Sequence, residues 1–201
     1  MDLPGFIDFS TQTQATYSNN FRTVETQLNY PTGQSTQIFD RVLDPGKYYL
    51  ELTIDNENVN NIVFGVASET VTYSNGLHLA QAGTLRTMVW ALGTNMVHRN
   101  REAGSTLSGF YDTPGQGSVL MMALDSSNGK IWFGRNGLWG NGVTLSDISF
   151  GINPHVTNDM GILYKVCVAR MNRSLVSKFT INFGHAAFLA APPPGFMSLV
   201  G

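Results

Sequence analysis

The sequence predicts an all-β domain, an antiparallel β-sandwich or jelly roll, on three observations. Short stretches alternate apolar with polar residues; Gly, Pro, Asn and Ser separate those stretches; and no window carries the 3.6-residue apolar period of an amphipathic helix. The 21 glycines and 8 prolines that supply this punctuation are spread through all 201 residues. A single domain accounts for the length, since sandwiches of this size commonly stay undivided.

Each strand has its own signal. In "GKYYLELTI" (46–54), Tyr48, Leu50, Leu52 and Ile54 fall on one face and Tyr49, Glu51 and Thr53 on the other, the pattern of a half-buried strand. "IVFGVAS" (62–68), "ETVTYSNGLHLAQ" (69–81) and "TLRTMVWALG" (84–93) follow as strands bounded by turn residues. "TNMVHRNREAGSTLSGFYDTPGQG" (94–117) reads as a long connection. "SVLMMALD" (118–125) is continuously apolar, which suits a strand covered on both faces, and "KIWFG" after a four-residue gap makes it one arm of a central hairpin. "GILYKVCVARM" (161–171) and "SLVSKFTINFG" (174–184) are the last two strands. Residues 1–36 are polar with spaced apolar positions, and predict edge strands or an arm of the same domain.

Composition excludes several functions. Charged residues are 13% of the chain against roughly 25% in an ordinary soluble domain, so the polar surface is mostly uncharged. The net charge of −2 leaves no cationic footprint for nucleic acid, and the small basic group His98, Arg99 and Arg101 has Glu102 beside it in the predicted connection. No run approaches the 18 or so apolar residues of a membrane helix. "MDLPGFIDF" lacks the basic start and apolar run of a secretory signal, and predicts synthesis in a cytoplasm. The one cysteine, Cys167, sits among alternating apolar residues and reads as core.

No catalytic or metal constellation emerges, and no cofactor is expected. Glu51 and Asp55 share a strand face, but no second carboxylate pair faces them for glycosidase chemistry. His78, His98, His155 and His185 are scattered without metal-ligand spacing, and "DSSNGK" lacks that of a calcium loop. Three Asn-Gly pairs, at 128–129, 136–137 and 141–142, suit tight type I′ turns, whose two central residues need positive φ. "RNGLWGNG" (135–142) adds an arginine and a tryptophan to such turns. It makes Arg135, Asn136, Trp139 and Asn141 candidates for binding a partner or glycan, with Tyr111 and Tyr73 as further candidates. Trp132, inside a strand, reads as core; Trp139 stacks on a sugar, anchors a partner or packs beneath the turn.

Val119, Ala123, Leu124, Asp125, Gly129, Lys130, Ile131, Trp132, Phe133, Asn136, Gly137 and Trp139 fit a pattern near "G.V.G.ALD...GKIWF..NG.W". Together with "GKYYLEL" (46–52), "FGVAS" (64–68), "INFG" (181–184) and "PPPGF" (192–196), this order resembles the SPRY (B30.2-like) domain family over nearly the whole chain. The ending resembles the stand-alone bacterial and bacteriophage versions. Two departures stand out: Gly117-Ser118 replaces the usual Gly-Asp, and Met121-Met122 replaces a common Ile-Gly. The resemblance implies a concanavalin A-like sandwich of two sheets whose loops bind peptides or protein surfaces. It transfers scaffold residues only, no ligand residues.

Function is therefore expected to be non-enzymatic. The leading reading is a bacteriophage virion protein: a capsid decoration, or a part of a tail, baseplate or fibre. Its partners are then other virion proteins, further copies of itself, or a host-surface receptor. Alternatives are a carbohydrate-binding module for host glycan and an intracellular peptide-binding adaptor.

Overall fold

A computed structural model of the chain describes residues 6–8, 15–18, 22–26, 35–39, 42–56, 62–68, 87–91, 95–99, 102–110, 114–157, 163–170 and 176–200. They form two antiparallel sheets. From edge to edge, the seven-stranded sheet runs β1 (Phe6–Asp8), β4 (Ser35–Phe39), β14 (Tyr164–Arg170), β6 (Ile62–Ser68), β7 (Thr87–Ala91), β8 (Met96–Arg99) and β9 (Glu102–Thr106). The eight-stranded sheet runs β12 (Leu138–Trp139), β11 (Lys130–Arg135), β10 (Val119–Asp125), β5 (Lys47–Ile54), β15 (Lys178–Asn182), β3 (Thr23–Thr26) and β2 (Ala15–Ser18). Its eighth strand, β13 (Val156–Thr157), pairs with β11.

Between the sheets lies one apolar core. Tyr48, Leu50, Leu52 and Ile54 of β5 meet Phe64 and Val66 of β6 and Val166 and Val168 of β14 there. The half-buried expectation for β5 is corrected, because Tyr49 and Glu51 on its other face are buried as well. Cys167 is fully buried, and burial pushes its thiol far above the usual range.

β10 shows why its sequence does not alternate. Leu120, Met122 and Leu124 point into the inter-sheet core, while Val119, Met121 and Ala123 point to the opposite face and are buried too. A second apolar cluster covers that outer face. It joins Tyr49, Trp132, Trp139 and Ile148 to the odd-numbered β10 residues, with Phe188, Ala190 and Phe196 of the C-terminal segment packed against it. Trp132 is thus core as expected, though in the outer cluster; its Nε1 donates to the Ile152 carbonyl at 3.0 Å. The methionine departure is accommodated here, because Met121 pairs across the ladder with Gly134. A Cβ at Gly134 would collide with the Met121 Cε and lie 2.7 Å from the Leu138 carbonyl oxygen.

Two local readings change. Residues 94–117 are not one long connection: β8 and β9 form a hairpin, with an irregular register between Met96 and His98, that extends the seven-stranded sheet. His98 and Arg99 lie on β8, between β7 and β9, and the polar sequence of β9 is what a sheet edge carries. A short helix, α1 (Leu145–Ser149), stands where none was expected; Thr144 and Asp147 form a reciprocal capping box at its start. The predicted strand at 69–81 lies outside the described residues. Residues 1–36 contribute edge strands to both sheets.

Candidate functional site

The Asn-Gly pairs at 128–129, 136–137 and 141–142 adopt two different geometries. In the β10–β11 turn only Gly129 has positive φ, at 61°. Asn128 instead donates from its backbone N to the Asp125 carbonyl at 3.3 Å and from Nδ2 to the Asp125 carboxylate at 2.9 Å. This corrects the type I′ expectation: four residues link Asp125 to Lys130, and a wider loop needs one left-handed residue, not two.

Asn136 (φ 50°) and Gly137 (φ 83°) do make a two-residue reversal, between Arg135 and Leu138. The Asn136 side chain then works as a bracket. Its Oδ1 accepts from Val119 N at 2.8 Å while its own backbone N donates to Val119 O at 2.9 Å. Asn141 (φ 56°) and Gly142 (φ 69°) repeat the arrangement within a tight turn at Gly140–Gly142. Asn141 Oδ1 accepts from Ser108 N at 2.9 Å and Ser108 Oγ at 3.1 Å, and Asn141 N donates to Ser108 O at 2.9 Å. Both asparagines spend their carbonyls on neighbouring backbone.

Two candidates move from loop to interior. Arg135 is 1% exposed and shares the inward parity of Ile131 and Phe133. Its guanidinium carbon lies 4.8 Å from the Phe110 ring centre, and Phe110 stacks on Trp90 at 5.3 Å and 24°. Trp139 is 7% exposed and packs edge-on against Tyr49 at 6.3 Å. The two-residue turn sets it opposite Gly134, where a side chain would leave no room: a Cβ there would lie 3.0 Å from the indole. An indole so buried offers little face for sugar stacking. Tyr111 and Tyr73 lie outside the described residues.

The turns border a furrow instead. A groove of about 200 Å³ is lined by Val119, Met121, Trp139 and Leu145 on the sheet side and by Leu189–Ala191 of the C-terminal segment. Leu145 and Leu189, which line it, stand 37% and 73% exposed, large apolar side chains facing water. Sequence reasoning missed both leucines. They lie in segments without period, and their grouping depends on where the C-terminal segment crosses the sheet.

That crossing is fixed by Glu51. The residue is 1% exposed on the outer face of β5. Its Oε1 accepts from Tyr49 Oη at 2.9 Å and Ala190 N at 2.8 Å, and its Oε2 from Leu189 N at 2.9 Å. Burial first, then the charge and hydrogen bond of Glu51, push the Tyr49 hydroxyl far above the usual phenol range, so it remains a donor. Both Glu51 oxygens are engaged in this latch, and Asp55 accepts from Thr180 Oγ1 at 2.7 Å. Neither is placed as an open catalytic carboxylate.

His155 is the second latch. Nδ1 accepts from Phe133 N at 2.8 Å, which leaves Nε2 to donate to Gly140 O at 2.9 Å. The neutral imidazole ties the tight turn at Gly140–Gly142 to β11, and burial holds its pKa below the ordinary value, with the Gly140 bond opposing. Among the described residues no group of three His, Cys, Asp or Glu is placed to hold a metal.

No family model and no curated protein matches the sequence. Solved structures do. The chain is similar to the SPRY domain of human HERC1, with a TM-score of 0.62 and 20% identity over 91% of this chain and 100% of that one. It is also similar to the PSpry domain of TRIM65, with a TM-score of 0.55 and 13% identity over 89% of this chain and 88% of that one. A looser overlap, TM-score 0.48 and 8% identity over 89% and 92% of the two chains, is with the carbohydrate binding module CBM66 from Bacillus subtilis. The two antiparallel sheets, closed by the hairpin that carries the "ALD...GKIWF..NG.W" residues, give this chain a SPRY-like fold.

Proposed function

We propose that the chain is a non-enzymatic binding module that makes protein contacts through the outer face of its eight-stranded sheet. We place it in a bacteriophage virion, as a capsid decoration or a tail, baseplate or fibre component. The observation that carries the contact reading is the pair of exposed leucines, Leu145 and Leu189, that line an apolar groove. Exposed apolar groups gathered on one face cost solvation unless something covers them. The low charge of the surface and the "PPPGF" ending support the virion setting.

Quantitative mass spectrometry of purified particles tests the setting, and absence of the chain from intact virions overturns it. The face is tested separately by Leu145→Glu and Leu189→Glu. Each variant is expected to fold, since both side chains are exposed, and to lose incorporation into particles at least tenfold. Incorporation at the unaltered level by a folded double variant removes this face from the proposal.

A further inference from the structure

The asparagine-glycine pairs carry a chemistry beyond their part in turn geometry. An asparagine amide is open to attack by the backbone nitrogen of the next residue, and glycine, with no Cβ, hinders that attack least. Hydroxide removes the glycine N–H proton, and the nitrogen bonds to the asparagine Cγ. The Cγ–Nδ2 bond breaks, and Nδ2 leaves as ammonia with a proton from water, which regenerates hydroxide. Water then opens the five-membered succinimide at either carbonyl. The products are aspartate and isoaspartate, the latter with the main chain rerouted through the side chain. No electrons are exchanged, and water is the only co-reactant.

Closing the ring needs the glycine nitrogen on the same side of the Cα–C bond as the asparagine Cβ. Asn141 has φ 56° and ψ 21°, which sets the Gly142 nitrogen nearly opposite the Cβ. Asn136, at φ 50°, shares this left-handed backbone, in which ψ is about +47°. Both are also bracketed. Turning the side chain toward the glycine would take Asn136 Oδ1 off Val119 N, and Asn141 Oδ1 off Ser108 N and Ser108 Oγ. Backbone bonds from Asn136 to Val119 and from Asn141 to Ser108 hold the main chain against the same movement.

Asn128 differs on each count. In its turn only Gly129 has positive φ, so the asparagine itself is not left-handed. Its bonds run to one residue, Asp125: the backbone N to the carbonyl at 3.3 Å and to Oδ1 at 3.2 Å, and Nδ2 to Oδ2 at 2.9 Å. The one side-chain bond is thus made by the nitrogen that leaves, and among the described residues no donor holds the Asn128 Oδ1.

We propose that Asn128 is a site of spontaneous succinimide formation, and that the fold withholds Asn136 and Asn141 from the same reaction. A further pair, Asn75–Gly76, lies outside the described residues. The inference is independent of the protein-contact reading above. Its consequence falls on the central hairpin. Asp125 is 3% exposed, and both its carboxylate oxygens accept from Asn128. Aspartate at 128 sets an acceptor-only carboxylate where Nδ2 donated, against the like charge of Asp125. Isoaspartate adds a carbon to the main chain of the loop that holds Asp125 opposite Lys130.

The test is peptide mapping by mass spectrometry while the full chain is incubated at mildly alkaline pH and physiological temperature. Conversion at Asn128 is expected to outrun that at Asn136 and Asn141 by about tenfold or more, since the bracket bonds must break first. In urea-unfolded chain the three should convert at similar rates, because each precedes a glycine. Conversion at 136 or 141 as fast as at 128 in the folded chain overturns the assignment. So does a preference for 128 that persists unchanged in urea, because the fold then contributes nothing. A folded chain that keeps 128 intact while the unfolded chain converts there overturns it as well. The consequence is read from Asn128→Asp, the direct product, which is expected to lower Tm more than Asn128→Ala, where the same donor is lost without added charge. A Tm no lower than that of Asn128→Ala overturns the like-charge contact.

Discussion

Over β5, β10 and β11 both faces of the eight-stranded sheet are dry, and they are kept dry by different means. The inner face meets another sheet, and its residues, Leu50, Leu52, Met122 and Phe133 among them, need only be apolar and the right size. The outer face meets a collection of loops, one short helix and a C-terminal segment. Beyond one parallel bridge between Met197 and Tyr48, those parts have no ladder of their own to hold them against the strands, so polar groups pin them. Glu51 holds Leu189 and Ala190, His155 holds Gly140, the Trp132 indole holds Ile152, and Lys47 and Lys130 hold Ser149 and Gly151. A sheet-on-sheet core is a cooperative block, whereas a pinned cover can loosen one pin at a time. The candidate furrow lies on the pinned side, where loops can vary without disturbing the sandwich.

Two neighbours on β5 test this contrast. Leu52 faces inward and Glu51 outward. Leu52→Ala removes buried methyl groups from the inter-sheet core and is expected to cost about 2–5 kcal/mol. For a chain of this length each kcal/mol lowers Tm by about 2–4 °C, so the loss is large and should appear in every probe at once. Glu51→Ala leaves the Tyr49 hydroxyl and two backbone N–H groups without their acceptor, at a cost of about 2 kcal/mol. Its signature should be local. Amide exchange at residues 185–200 should accelerate while the amides of β6 and β14 keep their protection. Equal acceleration in both places would mean that the outer cover is as cooperative as the core.

The inner face was legible in the sequence because it obeys a period: β5 and β15 alternate, and β10 shows by its lack of alternation that something covers its back. What covers it was not legible. The C-terminal segment and α1 carry no repeat, and their places depend on single polar contacts such as Glu51 to Ala190. Arg135 was misplaced because it adjoins an Asn-Gly turn, although parity with Ile131 and Phe133 already sets it inward. Trp139 had a signal of a similar kind. A two-residue turn at 136–137 puts position 139 opposite Gly134, and a glycine facing a tryptophan across a ladder implies a packed indole. For α1 the signal was "TLSD", a capping-box pattern four residues long. In the β8–β9 hairpin, β9 gave no apolar signal, since an edge strand carries polar residues to avoid further pairing.

The smallest expected effect sharpens the contrast furthest, because it concerns one pin and one proton. Burial lowers the pKa of His155 in the fold, so between the folded value and the ordinary one near 6.5 the unfolded chain binds the additional proton. The contribution of His155 to stability is therefore complete above that ordinary value and declines as pH falls below it. Protonation would also set an N–H against the Phe133 N–H and remove the only lone pair that accepts it. Acidification should therefore speed exchange of the Phe133 and Asn141 amides before it affects the inter-sheet core. His155→Gln supplies a comparison, since an amide can accept from Phe133 and donate to Gly140 without titrating in this range; its exchange rates, corrected for intrinsic chemistry, should be flat from neutral pH to pH 5. His185 also has a lowered pKa, from burial and then the nearby charge of Arg22, so a His185→Gln variant must keep the response. A response that survives His155→Gln and disappears with His185→Gln would assign the proton to the C-terminal segment, and would make the bond from His155 to the tight turn at Gly140–Gly142 indifferent to pH in this range.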